Sequence, residues 1–211
     1  TKTTPEDTAA TIEKGLKLDI LQWMEDTKAQ NALYEAPPSE SNEQSQASNA
    51  GHPFSDFFNS VTRVFGKPSS GHPKPVQPPR TSFQKYSFAA PTDLLSKTFL
   101  PEVNIALPPT ALPWEIPAYL KYGDWNGCPA PEIHVALFKR WHELHGAEVF
   151  AMVRDVVELH IRKPPISPSD AMSIAQEQYL FCPDIVLQGT DTIEGLSKEI
   201  INTDGWFFWW D

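Results

Sequence analysis

Three sets of side chains in this chain have types and spacing that could do chemistry. Cys182 could act as a nucleophile, since a thiol needs a nearby base and a group that orients that base. His160 would supply the base and Asp184 or Glu177 the orienting acid, with Gln188 at the same site. Cys182 follows the end of a predicted helix, however, where the dipole disfavours a thiolate. A buried core thiol is therefore the simpler reading. The second set is His142 and His145, one helical turn apart, with Cys128 upstream and Cys182 downstream. Two imidazoles and two sulfurs suit zinc, but there is no Cys-x-x-Cys pair, and ligand types without ligand spacing are weak evidence. The third set is Glu177, Asp184, Gln188, Asp191 and Asp211, polar residues at element ends beside dense apolar sequence. They read as a binding patch or an acid–base pair, or as ordinary caps and ion pairs. No phosphate-binding loop, dinucleotide fingerprint, nucleophile elbow or His-Glu-x-x-His motif occurs, so no cofactor is implied.

These residues need elements to hold them. Thr4-Pro5-Glu6-Asp7 is a helix start, and Ile12, Leu16, Ile20, Trp23 and Met24 recur at helical spacing, predicting one amphipathic helix over 5–31. Residues 1–34 form this N-terminal unit. Residues 35–82 read as a disordered Pro/Ser-rich linker, interrupted by a short amphipathic helix over 55–65 that carries Phe57, Phe58, Val61 and Phe65. From 83 the composition turns globular. Pro131-Glu132 opens a helix with Ile133, Leu137, Phe138, Trp141 and Leu144 on one side, ended at Gly146. A strand over 147–153 turns at Arg154-Asp155 into a second, in which Val157, Leu159 and Ile161 face in and Glu158, His160 and Arg162 face out. Ser167-Pro168 caps a further helix, Asp184–Gln188 reads as a short buried strand, and Thr192 caps the last helix.

The chain closes on Trp206-Phe207-Phe208-Trp209-Trp210-Asp211, five aromatics that cannot stand in water cheaply. They predict a strand covered on both faces, with Trp206, Phe208 and Trp210 on one side. Strand–helix–strand steps favour parallel neighbours. The expected fold is α+β, with a small mixed sheet of about four strands and covering helices over 83–211.

Several blocks resemble a known family: Trp125-Asn126-Gly127-Cys128-Pro129, Trp141 with Gly146-Ala147-Glu148-Val149, and Lys163-Pro164-Pro165. Glu177 through Asp184, Gln188-Gly189 and the terminal aromatic run complete the set. In order and spacing they are similar to the bacterial family called domain of unknown function 4253, over about residues 112–211. The resemblance implies no particular activity.

Charge narrows the choice of partner. The chain has a net charge of −10, and residues 93–211 hold 17 acidic against 8 basic residues. An acidic domain argues against nucleic acid, whose affinity comes from Lys and Arg on phosphates. No apolar run reaches the ~20 residues of a membrane span. Two cysteines do not make a disulfide framework, and the polar N-terminus is unlike a signal peptide, which together point to a cytoplasmic protein. The leading expectation is a non-enzymatic acidic interaction module that binds a basic protein partner, in one version an immunity-like protein. The alternatives are an enzyme with its site around Glu177, Cys182, Asp184 and Gln188, and a metal-binding module using His142, His145 and a cysteine.

Overall fold

The structure is a computed structural model and describes residues 4–35, 83–88, 98 and 102–210. Of the linker expected over 35–82, Glu35 is helical instead; the remainder, with its helix over 55–65, and Asp211 lie outside the described residues.

Helix α1 spans Pro5–Lys17, and its start is a full capping box. The Thr4 hydroxyl accepts from the Asp7 amide, and the Asp7 carboxylate accepts from the Thr4 amide. The single helix expected over 5–31 is in fact two. The chain leaves helical geometry at Leu18, and the Asp19 carboxylate accepts from the Gln22 amide at 3.1 Å, starting α2 at Ile20–Glu35. Aspartate competes for backbone amides, which makes it a better helix start than a helix interior. The pair docks on the rest of the molecule. Thr8, Gly15 and Met24 are buried, and Lys14 pairs with Glu132.

The domain begins with a 3-10 turn at Pro113–Glu115, a short helix α3 at Ile116–Leu120 and a loop leading to α4 at Pro131–His145. Strands β1 (Ala147–Met152) and β2 (Val156–Ile161) follow as an antiparallel hairpin with a bulge between Val149 and Ala151. Next come α5 (Pro168–Phe181), capped by Ser167, a π-type helical segment at Ile185–Thr190, α6 (Ile193–Ile200) and β3 (Gly205–Trp209).

Among the described residues the sheet has three strands in the order β1-β2-β3, and both pairings are antiparallel. This corrects the expectation of a mixed, four-stranded sheet. The expected strand Asp184–Gln188 is helical instead. With α5, the π-type segment and α6 between β2 and β3, the chain travels out on one helix and back on the next. It re-enters at the same end of the sheet, Gly205 opposite His160, so β3 must run antiparallel.

One sheet face meets α4 and α5. Trp141 lies parallel to Phe208 at 5.4 Å between ring centroids, and Phe181 stands edge-on to both. Trp206 and Trp210 fill the same layer, matching the predicted alternation of the terminal strand. The other face is covered by residues 83–88. Gln84 bridges Thr203, Tyr86 lies over Gly205, and Phe88 stacks on Phe150 at 3.7 Å. Glu158 is consequently buried, not facing water as its alternation suggests, and accepts from the Tyr86 hydroxyl at 2.9 Å.

Candidate functional site

The polar residues singled out in the sequence lie on α5 or at the π-type segment that follows it, except Asp211, which is outside the described residues. Glu177, on α5, accepts from the Arg140 guanidinium through both oxygens (Nη2 to Oε1 at 2.8 Å, Nε shared between Oε2 at 3.2 Å and Oε1 at 3.3 Å). Its Oε2 also accepts from Trp141 Nε1 at 2.9 Å. This clamp ties α4 to α5, and a bidentate Arg–carboxylate pair of this kind is strong because its geometry is fixed. Glu177 is thus a paired acid.

Cys182 caps the end of α5 and is buried, its thiol donating to the Trp209 carbonyl at 2.9 Å. Burial pushes its pKa well above the ordinary thiol value, as loss of water penalises the thiolate. Among the described residues no bond links Cys182 to His160, which stands opposite Glu148 and Gly205 in the sheet. Asp184 accepts from Gln188 Nε2 at 3.2 Å across the π-type segment, an irregularity common at functional sites. Asp191 is exposed and left-handed (φ 63°), closing that segment.

The metal candidates separate. His142 Nδ1 contacts the Ala147 carbonyl at 2.9 Å and His145 Nδ1 the Lys163 carbonyl at 3.1 Å. Cys128 Sγ lies 3.7 Å from Nε2 of a different histidine, His134. Among the described residues no group of three or more His, Cys, Asp or Glu could hold a metal ion.

A family model described as "Domain of unknown function (DUF4253)" matches residues 104–211. The chain belongs to this family. No curated protein and no solved structure matches it. The DUF4253 segment contains the Arg140–Glu177 clamp, the Cys182–Trp209 contact and the loop before α4.

That loop is the part sequence reasoning missed. Lys121, Gly123, Asp124, Asn126 and Gly127 all have positive φ, a concentration of left-handed backbone that is rare for non-glycine residues. Asn126-Gly127 forms a tight turn that sets Cys128 back against Trp125. His134, one turn into α4, is completely buried, and burial brings its pKa down to about 4. Its Nδ1 faces the Ala130 carbonyl at 3.2 Å and must carry the proton there, leaving the Nε2 lone pair toward Cys128. The legible signal was Asn-Gly just before a cysteine and a histidine six residues on. Around this pair, Tyr122 Oη and Trp210 Nε1 are buried without a hydrogen-bond partner among the described residues.

Proposed function

We propose that this chain is a non-enzymatic protein-interaction module whose acidic domain engages a basic partner, with an immunity-like inhibitor as one form of that role. The observation that supports it best is the segment before the 3-10 turn. Val103, Ile105 and Leu107 alternate with Asn104 and Ala106, and Ile105 and Leu107 are 87% and 88% exposed. Exposed apolar side chains in such a run favour a contact site. An exposed, extended apolar run of this kind suits a segment that adds itself to a partner's sheet edge. The net negative charge of the chain would speed encounter with a basic partner more than it would add affinity.

The fate of the candidate catalytic groups also favours binding over catalysis. Glu177 is taken up by Arg140 and Trp141, Cys182 by the Trp209 carbonyl, and Asp184 bonds Gln188. The test is a full-length variant carrying Ile105→Asp and Leu107→Asp, compared with wild type for thermal unfolding and for affinity capture from the native host. The expected result is an unchanged melting temperature, with loss of a stoichiometric, basic, salt-sensitive partner. Identical captured proteins, or a large drop in melting temperature, would overturn the proposal.

A further inference from the structure

Asparagine or aspartate followed by glycine can close a five-membered imide with the next backbone nitrogen, and this happens in sequence at Asn126-Gly127 and at Asp204-Gly205. The fold treats the two in opposite ways. The Asp204 carboxylate accepts from the Tyr86 amide, and Gly205 is buried with the Tyr86 ring lying over it, where an imide would need the same space. Asn126 and Gly127 are both exposed at the tip of the turn between Trp125 and Cys128, with φ of 41° and 75°. Nothing lies within 4 Å of where a Gly127 Cβ would stand. The turn is tied by the Cys128 amide on the Trp125 carbonyl at 2.7 Å, while among the described residues no acceptor takes the Gly127 amide. The nitrogen that must attack is therefore unoccupied, and without a Cβ its peptide plane turns with little steric cost. The other described asparagines lack this combination. Asn31 lies inside α2, Asn104 precedes the branched Ile105, and the amide after Asn202, that of Thr203, donates to the Ile200 carbonyl at 3.3 Å.

We infer that Asn126-Gly127 is a spontaneous modification site, at which the folded chain converts asparagine to aspartate and isoaspartate, while the fold protects Asp204-Gly205. In the step, the Gly127 nitrogen gives its proton to a base from solvent and attacks Asn126 Cγ. The new N–C bond closes a succinimide as the Cγ–Nδ2 bond breaks, and the side-chain nitrogen takes up a proton and leaves as ammonia. Water then adds to one of the two imide carbonyls. Cleavage at Cγ gives aspartate, and cleavage at the main-chain carbonyl gives isoaspartate, whose backbone runs through Cβ and Cγ. One water is taken up and one ammonia released, with no change of oxidation state. Isoaspartate adds one methylene to the main chain between Trp125 and Cys128, and either product adds a carboxylate. A two-residue turn has a set length, so the Cys128 amide must leave the Trp125 carbonyl in the isoaspartyl form. The loop before α4 thereby carries an irreversible change that accumulates with time. The inference does not rest on the interaction reading of residues 103–107.

The test incubates the full chain in mildly alkaline heavy-oxygen water, folded and in guanidinium chloride, with peptide mapping by mass spectrometry that separates aspartyl from isoaspartyl products. The heavy oxygen marks each imide that hydrolyses, and each site is referred to its own rate in denaturant. Asn126 is expected to react in the folded chain within a few-fold of its denatured rate, and several-fold faster than Asn31, Asn104 or Asn202. Asp204 is expected to isomerise in denaturant and to be slowed about tenfold or more by folding, as befits a site that reacts only through unfolding. The isoaspartyl form is expected to show faster hydrogen exchange at the Cys128 amide than the parent chain. Protection of Asn126 as strong as that of Asp204, modification of Asn126 no faster than at the other three asparagines, or unchanged exchange at Cys128 would overturn the inference.

Discussion

A single histidine gives this protein a pH response. His134 is fully buried, and loss of water lowers its pKa from 6.5 to about 4, against the opposing pull of the Ala130 carbonyl and Glu132. The folded pKa lies below the unfolded one, so the unfolded chain binds more protons between these values. The stabilisation is therefore complete above about pH 6.5 and is lost as pH falls toward 4. At pH 4.5 the loss from this group is about 2–3 kcal/mol, from the free energy of one pKa unit. Urea unfolding of wild type and His134→Phe at pH 7 and pH 4.5 isolates it, because the carboxylates titrate in both proteins. The wild type is expected to lose more stability than the variant by that amount. Parallel losses would show that His134 is not held neutral by burial.

Two elements reach the domain through close approaches that only glycine permits. A Cβ on Gly15 would stand 2.7 Å from the Glu132 carbonyl oxygen and 2.8 Å from the Val135 Cβ, backbone and branched atoms that cannot swing aside. Gly15→Val is expected to lift α1 from α4 at a cost of about 1–3 kcal/mol, the usual range for overpacking. Hydrogen exchange should then show faster exchange in α1 while β1–β3 keep their protection. Unchanged exchange in α1 would mean that the helix is not seated by this contact. On the opposite sheet face, a Cβ on Gly205 would fall 2.2 Å from the Tyr86 ring, so residues 83–88 lie directly on the β3 backbone. Tyr86 also gives Glu158 a hydrogen bond, with its own pKa raised by burial and by the neighbouring carboxylate. Tyr86→Phe keeps the ring and removes that donor, at an expected cost of about 1–3 kcal/mol for a buried acceptor losing a partner. A denaturation midpoint unchanged from wild type would show that water or another group replaces the hydroxyl.

At the scale of the whole molecule, local signals carried much of the outcome. The Thr4, Ser167 and Thr192 caps all form, because each hydroxyl satisfies an amide only a few residues away. The hairpin, the helix ended at Gly146 and the alternation of the aromatic strand were legible for the same reason: period and turn chemistry are local. The family match on residues 104–211 was legible in the ordered blocks. Tertiary structure decided the rest. Asp184–Gln188 is apolar enough for a strand, but an out-and-back helix path leaves it a helical corner between α5 and α6. Glu158 alternates as an outward residue, yet residues 83–88, some seventy positions upstream, close that face over it. The candidate site divides in the same way. Sequence supplied Cys128, Glu177, Cys182 and Asp184 as groups with chemistry, since residue type is local information. Their partners Arg140, Trp209 and His134 were fixed by packing, because burial, hydrogen bonding and charge neutralisation depend on distance in space and not along the chain.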